Sequence, residues 1–516
     1  MSSPSFLFFD LETTGADPAY DRPLQFAAIR TDLDLRPVGE PIVWYARPST
    51  DCLPHPAAVM TTGLLPDDPV LTRADSEANL ANRIYHLVNQ PNTCVVGFNN
   101  LRFDAPMLRF LFWRNLLDPY RHEWADGNSR FDVLDVARTY RLLRPDALNW
   151  PVDGQGNPTL RLSELSAANG LTHENAHDAL SDVEATIDLA RRLRDADPGL
   201  WSRLLAARDK RQVARLVDDP DITPFLHVSP RLPARTASAS MFCSLGQVDV
   251  NRNRRECWDL RFDPEPWMDV DADAWAERRF VRNPPPDAER DWSDLRLPVK
   301  SIHLNRVPVV LPKATVEEPG VAQRMVIDRA RVQQHADFIQ RHFKAVRDRL
   351  VAAIEATEGT FPPKPVEESL YAGFVPRADR AHLEDWWSRA RGMRSRDEAV
   401  AHARDLLAWS FEDPRLAELA EGFVARNLPE ALDVPARERW KQRLGERLRP
   451  GERSEEASDA SVATGRDFPA MFSEVARLRD SDAWTPEQRT LLDPYARWLA
   501  QRERELLPRW GSRRGV

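Results

Sequence analysis

The sequence predicts an α/β layer fold in the first 200 residues, then a small, mainly β domain, then a helical region. Strand-like and helix-like segments alternate over residues 1–200, which is typical of α/β folds. Prolines and short strand-like runs are frequent from about Asp218 to Arg324. From about Ile327 to Leu507, apolar residues recur at helical spacing. A length of 516 residues agrees with this division, since domains average roughly 150 residues.

The individual elements follow from apolar patterning. Phe6–Phe9 is a short apolar run suited to a buried central strand. The segments Leu24–Ile29 and Ile42–Tyr45 can pair with it as a meander. Glu77–Val88 predicts a helix with one apolar face. The other predicted strands are Leu24–Ile29, Ile42–Tyr45, Thr93–Phe98, Cys257–Phe262 and Val299–Leu304, and the other predicted helices are about Ala105–Leu116 and Asp182–Arg194. Gly451–Gly465 is polar and predicts a flexible surface insertion.

Net charge and cysteine content limit the classes of function. The formal charge is −9, which at face value argues against a nucleic-acid partner. Residues 202–216, however, hold five bases and one acid, and residues 437–449 hold six bases and two acids. Nucleic acid would respond to such local fields, because distant charge is screened within about 8 Å. The four cysteines show no metal or disulfide spacing, and no signal peptide or membrane span is present, so a cytoplasmic protein is predicted.

The first chemical motif, Asp10-Leu11-Glu12-Thr13-Thr14-Gly15, ends the first strand. Residues i and i+2 of a strand point to one face, so Asp10 and Glu12 project together. Two adjacent carboxylates suit a hard divalent cation such as Mg²⁺. The alternative interpretation is a solvated strand end.

Two further motifs supply a third and fourth carboxylate and a histidine. In Gly97-Phe98-Asn99-Asn100-Leu101-Arg102-Phe103-Asp104, Asp104 opens a helix, either as its N-cap or as a metal ligand. In His177-Asp178-Ala179-Leu180-Ser181-Asp182, His177 lies on a loop and Asp182 on the first turns of a helix. His177 is then either a surface histidine or a general base beside a metal-bound Asp182. Together the motifs indicate two-metal phosphodiester hydrolysis, in which carboxylates hold two ions about 4 Å apart.

These three motifs resemble, in order, those of the DEDDh exonuclease superfamily, and His177 indicates its histidine branch. Longer stretches resemble the bacterial exonuclease I family over nearly the whole chain. They include DRPLQFAAIRTD (21–32), GFNNLRFD (97–104), NSRFDVLDVAR (128–138), ANGLTHENAHDALSDVEAT (168–186), PVKSIHLNRVPVV (298–310) and LYAGFVPRADR (370–380).

The resemblance implies a fold and a domain plan. An α/β ribonuclease H-like exonuclease domain (1–198) would be followed by an SH3-like β-barrel domain (199–350) and an all-α C-terminal domain (351–516), together forming a C-shaped clamp. The departures from the family lie mostly in the loops of the middle domain, in the polar insertion at 451–465 and in a longer C-terminus.

The resemblance also implies roles for individual residues. Asp10, Glu12, Asp104 and Asp182 would bind two Mg²⁺ ions, with Mn²⁺ as a substitute, and His177 would be the general base. Glu12, Thr13 and Arg161 would contact the terminal nucleotide. The DNA path would be lined by Arg109, Tyr120, Trp124 and Arg138. Arg144 would contribute to a basic pocket for the acidic C-terminal tail of single-stranded-DNA-binding protein.

The implied function is that of an exodeoxyribonuclease I. Such a monomeric enzyme hydrolyses single-stranded DNA processively in the 3′→5′ direction, releases 5′-mononucleotides and serves DNA repair and recombination. An alternative is a 3′→5′ exoribonuclease or proofreading nuclease, because the same catalytic motifs serve those enzymes. A non-enzymatic alternative is a DNA-bound scaffold that recruits repair proteins. Loss of a metal ligand would mark the scaffold, whereas all five active-site positions hold competent residues.

Overall fold

The computed structural model describes residues 3–154, 156, 158–171, 178–279, 296–357, 364–448 and 466–510. The predicted general base His177 and the predicted insertion at 451–465 lie outside these residues. Among the residues that are described, no helix is both long and apolar enough to cross a membrane.

The first domain is built on a five-stranded sheet. Its strands are β1 (Ser5–Thr13), β2 (Pro23–Thr31), β3 (Ile42–Tyr45), β4 (Thr93–Gly97) and β5 (Ser129–Asp132). They lie in the order β3-β2-β1-β4-β5. The first three strands form an antiparallel meander, whereas β4 and β5 run parallel to β1. The predicted alternation of strands and helices is confirmed, and β1 continues past Phe9 as far as Thr13.

Helices cover both faces of this sheet. They are α1 (Pro56–Thr62), α2 (Pro69–Thr72), α3 (Glu77–Val88), α4 (Asp104–Arg114), α5 (Val133–Leu143), α6 (Leu162–Ala168), α7 (Ala179–Ala196) and α8 (Pro198–Ala206). Phe6 and Phe8 of β1 share a core with α5 and α7. The alternate residues of β1, including Phe9, share a second core with α3 and α4. Because β1 is buried on both faces, polar side chains on it are placed at its end, where the core opens.

The middle domain contains a second, antiparallel sheet. Its strands are β6 (Phe225–Val228), β7 (Ala239–Gly246), β8 (Arg254–Asp259), β9 (Val299–His303) and β10 (Val309–Pro312), in the order β10-β6-β7-β8-β9. Its helices are α9 (Lys210–Val217), α10 (Ala272–Arg279), α11 (Val321–Arg324), α12 (Arg329–Arg341) and α13 (Phe343–Glu355). The mainly β prediction is confirmed as a sheet, although in the described part of this domain no pairing joins β9 to β10 and closes a barrel.

The described residues from 364 onward are mainly helical, as predicted. Its helices are α14 (Arg377–Ala390), α15 (Arg396–Ala408), α16 (Pro414–Asn427), α17 (Val434–Leu448), α18 (Phe468–Arg479), α19 (Pro486–Arg489) and α20 (Leu492–Trp510). The predicted boundary at residue 350 falls inside α13, which packs against α10 and β7 of the middle domain. The exact domain boundaries therefore stay predictions.

Both later domains contact the first one through polar groups. Arg130 Nη2 of β5 donates to the carbonyl oxygen of Asn305 at 3.0 Å. Trp113 Nε1 of α4 donates to the carbonyl oxygen of Val366 at 3.0 Å, and Arg22 Nη2 lies 3.3 Å from Glu367 Oε2. Arg22 is only 1 % exposed, so this last contact is an interior ion pair between the first and last domains.

Candidate active site

Three of the predicted carboxylates meet at the end of the central strand. Asp10 and Glu12 continue the face of β1 that packs under α7, and Asp182 lies in the first turn of α7. One carboxylate oxygen from each of the three lies within 4.8 Å of the others. The strand period of two therefore placed Asp10 and Glu12 correctly, and packing of α7 on β1 brings in Asp182 from 170 residues further along the chain.

Asp104 is the fourth carboxylate. It is the first residue of α4, whose N-cap position is occupied by Phe103 without a side-chain hydrogen bond. The alternative interpretation of Asp104 as the cap of this helix is therefore wrong. The side chain is 2 % exposed, and its Oδ1 atom has no hydrogen-bond partner among the residues that the structure describes. A buried, unpartnered carboxylate oxygen is costly unless a cation or a water occupies the site.

Burial and the negative charge of the cluster raise the pKa of three of these carboxylates. Burial and the charges of Asp182 and Asp104 raise the pKa of Glu12 to about 9. Burial, chiefly, raises the pKa of Asp104 to about 8. Burial, then Asp104 and Glu12, raise the pKa of Asp10 well above its ordinary value. Such mutual repulsion is relieved when a cation binds between the carboxylates.

The loop that carries Asp104 is fixed by Asp132. The Asp132 carboxylate accepts hydrogen bonds from the backbone N–H groups of Asn99 at 2.9 Å and Leu101 at 3.2 Å. Gly97 precedes this loop, and a Cβ there would lie 2.9 Å from the carbonyl oxygen of Phe9. The glycine thus lets β4 and the loop approach β1 closely enough to deliver Asp104 to Asp10.

Sequence reasoning missed Gln25 and Asp178 beside this site. Gln25 is 3 % exposed and lies opposite Glu12 in the β1–β2 ladder. Its Nε2 donates to Asp178 Oδ1 at 3.0 Å and to the Tyr45 hydroxyl at 3.1 Å. Asp178 precedes α7 directly, so these bonds fasten the start of that helix to the sheet. The sequence signal that could have pointed to Asp178 is its position directly after the predicted His177.

The donor set fits a divalent cation. Four carboxylates supply hard oxygen ligands, which Mg²⁺ and Mn²⁺ accept. The raised pKa values of three of them and the unpartnered oxygen of Asp104 are the signs of a site that requires positive charge. These residues therefore indicate dependence on a divalent metal.

Several predicted substrate contacts form an aromatic and arginine surface that includes part of the last domain. Arg109 Nε donates to Glu123 Oε1 at 2.6 Å, and its guanidinium lies 5.7 Å from the ring centre of Tyr120. Trp124 is 66 % exposed. Two residues that were not predicted complete this surface. The Tyr371 hydroxyl accepts from Arg109 at 3.4 Å, and the ring of Phe374, 87 % exposed, lies 5.9 Å from that of Tyr120.

The other predicted contacts lie in different surroundings. Thr13 is buried, and its hydroxyl donates to the carbonyl oxygen of Gly15 at 2.6 Å. Arg138 is buried, and its Nη1 atom lies 2.5 Å from Asp135 Oδ1. Arg161 is exposed and lies 3.2 Å from Glu164. Arg144 Nε lies 2.7 Å from Asp197 Oδ2, and its Nη1 lies 2.7 Å from Glu318 Oε2. Two carboxylates therefore already contact its guanidinium.

Comparison with known proteins covers nearly the whole chain. Three family models match: Exonuclease over residues 7–190, Exonuclease I SH3-like domain over 208–355, and Exonuclease I C-terminal domain over 364–502. Exodeoxyribonuclease I of Escherichia coli is 38 % identical over 437 residues, which is 84 % of this chain and 88 % of that protein. The Haemophilus influenzae exodeoxyribonuclease I is 36 % identical over 439 residues, 85 % and 89 % of the two chains.

Solved structures agree with the sequence relatives. The crystal structure of E. coli exonuclease I in complex with a dA16 oligonucleotide matches with a TM-score of 0.85 and 34 % identity, covering 98 % of this chain and 100 % of that one. Exonuclease I from Methylocaldum szegediense matches with a TM-score of 0.83 and 35 % identity, covering 98 % and 99 %. A zinc-bound form of the E. coli enzyme with single-stranded DNA also matches, with a TM-score of 0.84, 33 % identity and 97 % and 100 % coverage. With its domain order, its carboxylate site and relatives along nearly its full length, this chain belongs to the exonuclease I family.

Proposed function

We propose that this protein is a 3′→5′ exodeoxyribonuclease that hydrolyses single-stranded DNA and releases 5′-mononucleotides with two Mg²⁺ ions. The observation that carries the proposal is the carboxylate cluster, in which oxygens of Asp10, Glu12 and Asp182 lie within 4.8 Å of one another. The relatives from Escherichia coli and Haemophilus influenzae are named exodeoxyribonuclease I, and the E. coli enzyme has been crystallised with an oligonucleotide.

The chain's own residues divide the work of the reaction. Asp10, Glu12, Asp104 and Asp182 would hold the ions, which when bound supply an activated water and stabilise the leaving 3′ oxygen. Thr13 and Arg161, with Glu12, would hold the terminal nucleotide. His177 would take the proton from the attacking water, since histidine titrates near neutral pH.

Beyond the metal site, the arginine and aromatic surface would guide the rest of the strand. Tyr120, Tyr371 and Phe374 offer ring faces or edges at the boundary between the first and last domains, and Trp124 exposes its ring on the first domain. Bases stack on such rings without regard to sequence, and arginines follow the phosphates. Because this surface draws on two domains, it supports the predicted clamp around the strand and processive digestion.

One time course tests this function. Single-stranded DNA labelled at its 3′ or its 5′ end is digested with Mg²⁺ or with EDTA, beside an RNA oligomer of the same sequence. We expect early release of 3′ label as mononucleotide, dependence on Mg²⁺ and slower attack on RNA. Preference for RNA would favour an exoribonuclease, and absence of any cleavage in Mg²⁺ or Mn²⁺ would favour a DNA-bound scaffold.

Phe374→Ala and Trp124→Ala should each weaken DNA binding without loss of the metal site. Stacking of one base contributes about 1–3 kcal/mol, and 1.4 kcal/mol is about tenfold in an equilibrium constant. We therefore expect the Kd for a single-stranded oligonucleotide in EDTA to rise about 5- to 140-fold, as measured by fluorescence anisotropy. Trp409→Ala is the matched control. Trp409 is also an exposed tryptophan, at 44 %, but its ring is stacked on that of His382, with the ring centres 3.5 Å apart. An unchanged Kd in both test variants would remove these rings from the DNA path.

The partner and cellular assignments are also part of the proposal. Arg144 would contact the acidic tail of single-stranded-DNA-binding protein. A carboxylate of that tail would then replace Asp197 or Glu318 as a partner of the Arg144 guanidinium. The protein would act as a monomer in the cytoplasm, in DNA repair or recombination.

A further inference from the structure

The segment that follows the metal ligands of β1 is held from the far end of the chain. Loop 14–22 begins two residues after Glu12 and one after Thr13. Its organising group is the fully buried carboxylate of Asp21, whose Oδ1 accepts from the Thr14 hydroxyl at 2.8 Å. The other oxygen, Oδ2, accepts from the Asp17 N–H at 2.9 Å and from Arg466 Nη2 at 2.6 Å. Arg466 thus lies at the outer end of a hydrogen-bonded chain that reaches the residue next to Thr13.

Arg466 leaves little space for the loop to move. A Cβ on Gly15 would lie 2.3 Å from Arg466 Nη2 and 2.5 Å from Asp21 Oδ2. Gly15 has no positive φ, so the close approach of the guanidinium explains the glycine here. Arg466 is 7 % exposed, and its guanidinium lies 5.5 Å from the ring centre of Tyr20. The Tyr20 hydroxyl in turn donates to the carbonyl oxygen of Arg466 at 3.2 Å.

The helices that follow Arg466 hold the same loop by a second route. The N–H of His55 donates to the carbonyl oxygen of Thr14 at 2.7 Å, and His55 is the N-cap of α1. Helix α1 packs against α18 and α20. The Tyr495 hydroxyl of α20 donates to the carbonyl oxygen of Pro54 at 2.5 Å. Loop 14–22 is therefore fixed to the C-terminal helices by an ion pair on one side and by α1 on the other.

We propose that Arg466 is a positioning residue, which through Asp21 and Thr14 holds Thr13 and Glu12 in the geometry that binds the 3′-terminal nucleotide. The proposal rests on the proposed function, in which Glu12 and Thr13 contact that nucleotide. It gives the C-terminal helices a part in binding the DNA end, in addition to any contact with the rest of the strand.

Arg466→Gln in the full-length protein tests this role. Misplacement of a binding group by about 1 Å costs up to about 100-fold in rate, so we expect kcat/KM on single-stranded DNA to fall about 10- to 100-fold. Arg466→Lys keeps the charge and should recover a large part of that loss. Arg479→Gln is the matched control, because Arg479 lies on α18 and pairs with Asp493 at 2.6 Å, on the exposed surface. Its kcat/KM should equal that of the parent protein.

A double-mutant cycle with Asp21→Asn separates positioning from simple loss of stability. If Arg466 acts through Asp21, Arg466→Gln should lower kcat/KM less than threefold in the Asp21→Asn background, at a temperature where circular dichroism shows each variant folded. Equal losses in both backgrounds, or a kcat/KM within twofold of the parent for Arg466→Gln, would overturn the proposal.

Two controls keep the result interpretable. If Arg466→Gln does not fold, Thr14→Val breaks the same chain at its other end and should lower kcat/KM about tenfold or more, and an unchanged value overturns the proposal. Failure of the proposed function would appear differently, as absence of DNA hydrolysis by the parent protein itself.

Discussion

Asp10→Asn should abolish metal-dependent nucleotide release while the protein stays folded. Asp10 is one of the three carboxylates whose oxygens lie within 4.8 Å of one another, and metal ions contribute several kcal/mol of transition-state stabilisation in hydrolases. Since 1.36 kcal/mol corresponds to tenfold in rate, we expect kcat to fall by about 10³-fold or more. The measurement is release of mononucleotide from single-stranded DNA with saturating Mg²⁺. Asp34→Asn removes an exposed charge on the β2–β3 turn and should leave kcat unchanged.

The same variant should be more stable than the parent when metal is removed, and the difference should grow with pH. The pKa of Glu12 is raised to about 9 and that of Asp104 to about 8, above the ordinary values of 4.5 and 3.8. A raised folded-state pKa means that stability is complete below the ordinary value and is lost as pH rises through the raised one. In EDTA, the Tm of the parent should therefore decrease as the pH rises from about 5 to about 9. The Tm of Asp10→Asn should decrease less over the same range. Equal Tm values at pH 8 would contradict the repulsion on which the metal site is argued.

Glu367→Gln should cost about 3–5 kcal/mol of unfolding free energy, the range for breaking a buried ion pair by removal of one partner. Glu367 contacts Arg426 and lies 2.9 Å from Arg447 and 3.3 Å from Arg22, and Asp51 is the second carboxylate of this cluster. The variant leaves the buried guanidinium groups of Arg22 and Arg426 and the partly buried one of Arg447 with less compensating charge. Guanidinium denaturation followed by tryptophan fluorescence measures the loss. Glu430→Gln, at an exposed pair with Arg396, should change nothing measurable.

The effect of Glu367 should depend on pH with the opposite sign to that of the metal site. Burial alone would raise the pKa of Glu367, but Arg426, Arg22 and Arg447 together hold it well below its ordinary value. Its contribution is then fully present above pH 4.5 and is lost as pH falls through the lowered pKa. The stability difference between Glu367→Gln and the parent should thus shrink in acid. A difference that is constant from pH 7 to pH 3 would mean that the charge of Glu367 does not matter.

Local patterning predicted the parts of the site that depend on a few neighbouring residues. The strand period alone places Asp10 and Glu12 on one face, and the strand–loop–helix order of the second motif places Asp104 at a helix start. That Asp104 is a buried partner of the cluster and not a cap could not be read locally, because it depends on Gly97 approaching the backbone of β1. The helices and strands that were predicted individually agree with the structure to within a few residues, because their apolar patterns are strong, whereas β5, β6, β7 and β10 were not predicted as separate strands.

The residues that were missed act over long sequence separations. Gln25 reaches Asp178 across 153 residues, and Arg109 reaches Tyr371 across 262. No periodicity or local motif marks such pairs, since each member alone is an ordinary polar or aromatic side chain. Gly15 is a further long-range case, because it has no positive φ and makes room for the side chain of Arg466 from the C-terminal segment.

The pairing of Asp21 with Arg466 spans 445 residues, and this separation has a consequence for synthesis. The strand that carries Asp10 and Glu12 leaves the ribosome early, but the loop beside it acquires the Arg466 counterion only after a further 445 residues beyond Asp21 have been made. A chain that stops before residue 466 contains all four carboxylates and lacks the contact that fixes the loop beside them. Translation thus delivers the metal ligands first and the positioning arginine 445 residues after its partner Asp21.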